Sequence, residues 1–199
     1  MFKKFFIILI FIAIVFVAIV TMQPSDFRIS RSLVMSAPPE AVFAQVIDFH
    51  KWQAWSPWVK MDPAAKNDYG GPGAGVGAMF HWAGNRQVGE GTMTITEIQS
   101  NALVRIRLAF LKPFAATDTG EFTFMPQGKQ TLVTWSMSGR NNFIGKAMGL
   151  FINCDKMVGG EFEKGLSQMK AIVEAAATTK KVAAPIKKSP AKKANKKKH

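Results

Sequence analysis

Residues 5–20 are sixteen consecutive apolar residues, FFIILIFIAIVFVAIV, and Thr21 and Met22 extend the tolerated stretch to eighteen. As a helix rising about 1.5 Å per residue, this run is roughly 27 Å long, close to the thickness of a bilayer's hydrocarbon layer. It carries no charge, so placing it in lipid has no electrostatic cost. Lys3 and Lys4 precede it, and no Lys or Arg follows until Arg28. That asymmetry predicts a cytoplasmic N-terminus and an extracytoplasmic domain, periplasmic if the cell is Gram-negative. A cleaved signal peptide is the rival reading. Its apolar region is 7–15 residues and ends in a small-x-small site, and residues 18–22 (AIVTM) offer no good triplet of that kind. A buried core helix is a third reading. We expect residues 1–24 to form a transmembrane anchor with a short linker.

The net charge of +13 is concentrated elsewhere. Nine lysines lie between Lys180 and His199 with no acidic residue among them; without them the net charge falls to +4, and without Lys3 and Lys4 to +2. Residues 178–199 therefore read as a disordered lysine-rich tail on a nearly neutral domain. A domain outside the cytoplasm disfavours nucleic acid as the partner of this tail. Anionic lipid headgroups or an envelope polymer suit it better, and a merely solubilising role is the alternative. Between the two extensions, residues 25–177 have the length of one domain and can bury a core without disulfides or metals. Cys154 is the only cysteine, and with His50, His81 and His199 it makes no metal-site spacing.

The middle of the chain alternates in character. Residues 27–35 (FRISRSLVM) read as a strand. Ser36, Ala37, Pro38 and Pro39 signal a helix start, and Val42, Phe43, Val46 and Ile47 give the following helix its apolar face. Asp48 can cap a short turn beyond it. Trp52, Trp55 and Trp58 follow at three-residue spacing. Residues 67–77 (NDYGGPGAGVG) read as a loop. Five segments then read as strands: 79–82, 87–98, 103–110, 119–125 and 131–137. Their short polar connections make antiparallel neighbours. Alternation sets Val104, Ile106, Leu108 and Phe110 against Arg105 and Arg107, Phe122 and Phe124 against Glu121 and Thr123, and Val133, Trp135 and Met137 against Thr134 and Ser136. A sheet with one apolar face needs a cover. Residues 154–177 supply it as a helix, with Val158, Phe162, Leu166, Met169 and Val173 in one stripe. An apolar segment, residues 143–152, precedes that helix. These elements define an α+β domain.

Arg31-Ser32, the stretch from Ala37 through Phe43, Asp48-Phe49 with Trp52, and Trp55-Ser56-Pro57-Trp58 together resemble the START-like (SRPBCC) superfamily. That superfamily has the helix-grip fold and includes the birch-pollen-allergen-like and polyketide cyclase/dehydrase-like proteins. The resemblance continues through Gly75-Val76-Gly77-Ala78, Trp82, Gly84-Asn85, Gly89-Glu90-Gly91, residues 131–135 and residues 162–166, covering about residues 27–174. It implies a curved antiparallel sheet wrapped around the long C-terminal helix, enclosing a hydrophobic cavity. Many members bind lipids or other apolar molecules, and some catalyse cyclisation or dehydration.

On that basis the candidate ligand-contacting residues are Trp55, Trp58, Phe80, Trp82, Ile106, Leu108, Phe122, Phe124, Trp135 and Phe162, against the alternative that they are plain core. Asp48, His81, Glu90 and Arg140 are the polar groups weighed for catalysis. No histidine is paired with a carboxylate at recognisable spacing and no serine-centred nucleophile motif occurs, so no catalytic residue is assigned. Residues 73–78 (GAGVGA) loosely match a dinucleotide fingerprint, but a loop precedes them and a strand follows, so no cofactor is expected. The expected function is binding of a small hydrophobic or lipid-like ligand, beside a membrane that residues 5–22 cross. The alternatives are a cyclase/dehydrase-like or hydrolase-like enzyme, and an envelope interaction protein acting through its basic tail.

Overall fold

A computed structural model describes residues 2–183, with side chains through Thr179. Helix α1 (Phe2–Met22) has a mean hydropathy of 3.3 over its most apolar window. Its side chains are exposed except for Val20, which is buried where the helix meets the domain.

Seven strands follow: β1 (Asp26–Met35), β2 (Lys66–Gly70), β3 (Met79–Ala83), β4 (Glu90–Gln99), β5 (Leu103–Lys112), β6 (Ala116–Gln127) and β7 (Gln130–Arg140). They form one sheet in the order β1-β7-β6-β5-β4-β3-β2, and every pairing is antiparallel. Between β1 and β2 lie α2 (Pro39–Val46), a 3₁₀ turn (Phe49–Lys51), α3 (Trp52–Trp55) and α4 (Pro57–Met61). After β7 come α5 (Phe143–Gly149) and the long α6 (Cys154–Ala183). This is the α+β helix-grip architecture expected from the sequence, with α6 lying across the sheet's apolar face.

The register gives the sheet two distinct ends. Asp26 pairs with Arg140, Phe110 with Ala116, and Ala83 with both Glu90 and Lys66, so these residues lie at one end. Met35, Gln127, Gln130, Leu103 and Gln99 lie at the other. Helix α1 enters at the first end, since only Gln23, Pro24 and Ser25 separate it from β1. The Asn141 amide donates to the Ser25 carbonyl (2.8 Å), and Lys146 Nζ of α5 donates to the Thr21 carbonyl (3.4 Å).

Two contacts seat α6. Arg31 projects inward from β1, where alternation would otherwise place an apolar residue. Its guanidinium binds Glu163 (Nε to Oε1, 2.8 Å) and Asp155 (2.9 Å to Oδ2 and 3.0 Å to the backbone carbonyl). A side chain at Gly159 would collide with that guanidinium. Further along, Phe162 stacks on Trp135 at 4.2 Å between ring centroids, and Gly165 leaves room for the indole edge. The apolar stripe expected on α6 is seated as read: Phe162, Leu166, Met169 and Val173 are buried, and Val158 is partly so.

Three expectations are corrected. The loop expected at residues 67–77 begins with strand β2. This strand is polar and almost wholly exposed, so its hydrophobic pattern carries no signal; backbone pairing to β3 at the sheet edge makes it a strand. Strand β4 starts at Glu90, because residues 84–89 fold into a loop in which Asn85 Oδ1 accepts from the Gln87 (2.8 Å) and Val88 (3.2 Å) amides. Helix α6 runs to Ala183, so residues 178–183 are helical where disorder was expected. Residues 184–199, with the rest of the lysine-rich tail, lie outside the described residues.

The glycines of α6 should respond oppositely to the same substitution. A Cβ at Gly160 meets nothing within 4 Å. Gly160→Ala should therefore stabilise the protein by about 0.5–1 kcal/mol through helix propensity. A Cβ at Gly165 would lie 2.8 Å from the Trp135 ring and 3.2 Å from Pro57. Gly165→Ala should lower stability, with overpacking of about 1–3 kcal/mol exceeding the same propensity gain. Urea unfolding followed by tryptophan fluorescence checks both signs.

Candidate functional site

The aromatic residues that fill most of the interior leave it unfilled at the end of the sheet where α1 enters. At the opposite end the inward side chains are close-packed: Val104, Phe122, Phe124 and Val133 are buried against α2 and α6. Toward the α1 end the same inward rows open out, and Leu108, Phe110 and Met137 are only partly buried. A cavity of about 330 Å³ lies there, between the sheet, α3–α4 and the start of α6.

Its wall is built from inward positions of successive strands: Phe80 and Trp82 of β3, Met93 of β4, Ile106, Leu108 and Phe110 of β5, and Trp135 and Met137 of β7. Helix α6 contributes Met157, Val158 and Phe162, and α3–α4 contribute Trp52, Trp58 and Val59. Glycine helps to keep the space open. Gly120 of β6 is paired with Ile106 on one side and Met137 on the other, so an inward position in the middle of the wall has no side chain. Gly91 lies under the Trp82 ring, and a Cβ there would sit 2.5 Å from it.

The tryptophans are oriented by their N–H groups. Trp52 donates to the Val46 carbonyl (3.0 Å) and Trp55 to the Gln45 carbonyl (3.4 Å). These are carbonyls of the last turn of α2, which lack intrahelical partners. Trp82 donates to the Val88 carbonyl (3.1 Å), fixing the loop of residues 84–89 over the cavity. Each indole thus satisfies its polar atom on backbone and presents an apolar face inward.

Seven of the ten candidate residues lie in the cavity wall: Trp58, Phe80, Trp82, Ile106, Leu108, Trp135 and Phe162. The other three lie outside it. Trp55 is fully buried against Trp52, Trp135 and Phe122. Phe122 stacks on Trp135 at 4.8 Å, and Phe124 packs edge-on against Phe43 of α2. All three face inward, as alternation requires, but toward the filled part of the interior. Trp52, outside the ten candidates, is in the wall and Trp55 is behind it; equal spacing within one short helix does not separate the ring at the cavity from the ring behind it. Phe110 and Met137 were legible as inward positions and belong to the wall.

The polar wall residues are Gln53, Ser56, Asp62, Asn67, Gln87 and Lys112. Both charged groups, Asp62 and Lys112, are engaged. Asp62 accepts from the backbone amides of Asn85 (2.6 Å) and Ala64 (3.2 Å). Lys112 Nζ pairs with Glu90 (2.6 Å) and holds that carboxyl below its ordinary pKa through the hydrogen bond. The four polar groups weighed for catalysis lie outside the wall. Asp48 caps the 3₁₀ turn by accepting from the His50 amide (3.0 Å), and the His50 ring Nδ1 lies 3.1 Å from the same oxygen, so a histidine–carboxylate contact exists where none was expected, two residues apart and outside the cavity. His81 binds Thr92 (3.1 Å) across the strand pair, Glu90 binds Lys112, and Arg140 binds Asp26 (3.2 Å). The glycine loop is followed by β3, and its Gly75 and Gly77 amides donate to the Ile47 (2.9 Å) and Ile95 (2.8 Å) carbonyls.

One inward carboxyl went unnoticed in the sequence. Asp118 of β6 is buried beside Gly139 and Phe27, outside the cavity wall. Among the described residues no donor or cation pairs with it, and burial pushes its pKa up. It continues the inward series Gly120, Phe122 and Phe124, which is the signal that could have found it.

A curved antiparallel sheet gripping a long helix around an apolar cavity defines a helix-grip protein. Residues 26–174 match the family described as polyketide cyclase / dehydrase and lipid transport, and the chain belongs to that family. Similar solved structures include a protein of Chromobacterium violaceum, 18% identical with a TM-score of 0.53, covering 76% of this chain and 99% of that one. The Aha1 dimer of Colwellia psychrerythraea is 17% identical with a TM-score of 0.54, covering 74% and 96%. The di-domain ARO/CYC StfQ of the steffimycin biosynthetic pathway is 11% identical with a TM-score of 0.58, covering 77% and 52%. Likeness at these identities is one of fold. No curated protein matches the sequence.

Asp118 makes a pH-dependent prediction. Its folded-state pKa is raised, so keeping it ionised costs stability at neutral pH. As pH falls the folded state takes up the proton first, and the cost is gone below the ordinary aspartate value of about 3.9. Asp118→Asn should raise the urea midpoint at neutral pH, with the gain disappearing in acid. An equal gain at both pH values would contradict this.

Proposed function

We propose that this protein is a membrane-anchored domain that binds a small hydrophobic or lipid-like molecule in the cavity beneath α6. The observation that carries this reading is the wall itself: seventeen apolar side chains surround about 330 Å³, with polar side chains confined to six positions. Ligand sites are commonly apolar cavities of roughly 300–1,000 Å³ with a few orienting polar groups. The family description, which includes lipid transport, supports the same ligand class.

Helix α1 serves as the anchor, with its N-terminus in the cytoplasm and the domain outside, on the charge asymmetry of Lys3 and Lys4. The lysine-rich segment gives the domain a second, electrostatic contact with an anionic partner. Helix α6 starts at the α1 end of the sheet, and near its far end Glu174 accepts from the Ser36 amide (2.6 Å). Through its described residues α6 thus runs away from the α1 end of the sheet, which supports an envelope polymer over the anchoring bilayer as the partner of the lysines.

Filling the cavity tests the binding role. Leu108 points into the space left by Gly120, and Leu108→Trp should occupy it. Full-length protein in lipid nanodiscs should enhance the fluorescence of N-phenyl-1-naphthylamine above that of empty nanodiscs, saturably, and the variant should lose most of that increment. Enhancement no greater than that of empty nanodiscs would reject the reading.

A further inference from the structure

Nine exposed apolar side chains lie near the end of the sheet where α1 enters, and we infer that they form a docking surface that dips into the bilayer crossed by α1. Phe143 and Ile144 open α5, and Phe151 follows it with 79% of its surface exposed. Leu111 lies near the end of β5 and Phe114 in the turn between β5 and β6, and Met157 stands exposed at the start of α6. The register places the ends of β5 and β7 on the same side of the sheet as the start of β1. Helix α5 packs against α1, and Lys146 reaches the Thr21 carbonyl at the end of the apolar helix. A cluster of this kind in water would be a liability, whereas beside a membrane span it sits at the depth where amphipathic segments bury their apolar side chains. The flanking cations Lys146 and Lys156 suit the headgroup level.

The surface also borders the cavity. Met157, Lys112 and Pro113 belong to the cavity wall, and Leu111, Phe114 and Cys154 are their near neighbours in sequence. Docking therefore turns the cavity mouth toward the lipid, so that an apolar molecule passes between bilayer and cavity without crossing water. The occupant of the patch is the bilayer's own interfacial layer. This rests on α1 spanning the membrane, and it does not require that any ligand has been identified.

The test uses the full-length chain in lipid nanodiscs. With Cys154→Ser as background, single cysteines replace Phe151, Ile10 in the middle of α1, and Gln127 at the end of β6, on the opposite end of the sheet. Each is labelled with a nitroxide and its collisions with oxygen and with a water-soluble nickel chelate are compared. Phe151 should be several-fold less accessible to nickel than Gln127 and enriched in oxygen collisions. Nickel accessibility at Phe151 equal to that at Gln127 overturns the docking surface. In that case an Ile10 label in lipid leaves the anchor standing, and an Ile10 label in water removes the anchor as well.

Discussion

The indole of Trp135 stacks on Phe162 of α6 and on Phe122 of the neighbouring strand, and Trp52, Trp55 and Trp58 meet it edge-on at 5.6–5.9 Å. Sheet, long helix and the short helices after α2 all converge on this one ring. Stacked and edge-on aromatic pairs contribute about 0.5–1.5 kcal/mol each beyond their buried area, so the cluster fixes how far α6 stands from the sheet. Gly165 sets the approach on the helix side. One side of the cluster is packed solid by Trp55, Phe122 and Phe124. The other side, where Gly120 leaves an inward position bare, is the cavity.

The fold was legible because its signals are periodic. Two-residue alternation in β5, β6 and β7 and the stripe on α6 name nearly every inward residue, and the core follows from them. The site was legible only in part. Alternation gives the face of a residue but not its position along the closed-to-open axis of the interior, so Trp55, Phe122 and Phe124 looked equivalent to Trp58, Leu108 and Phe162. What separates them is tertiary: the glycines that remove bulk, and the loop of residues 84–89 that Asp62 ties over the mouth. Strand β2 was missed for the opposite reason. An edge strand held by backbone bonds alone has no hydrophobic period to read.

Arg31 shows the two kinds of information combining. In the sequence it interrupts an apolar alternation and is one of the residues that carry the family resemblance, with no partner named for it. In the fold it binds Asp155 and Glu163 and pins the first turns of α6 to β1. The guanidinium lowers the Asp155 pKa, chiefly through the direct hydrogen bond, so this tie is present at neutral pH and is lost as acid protonates the carboxylate. The tie lies at the end of α6 that carries Met157 and Val158, so it also positions that side of the cavity wall.

The space beside Trp135 is the proposed site of an apolar molecule. The most direct measurement is native mass spectrometry of the full-length protein released gently from its own membranes. The expected result is a chain carrying one small apolar molecule, absent when Leu108→Trp fills the cavity. Wild-type protein that carries no such adduct, or carries the same adducts as the filled variant, would contradict it.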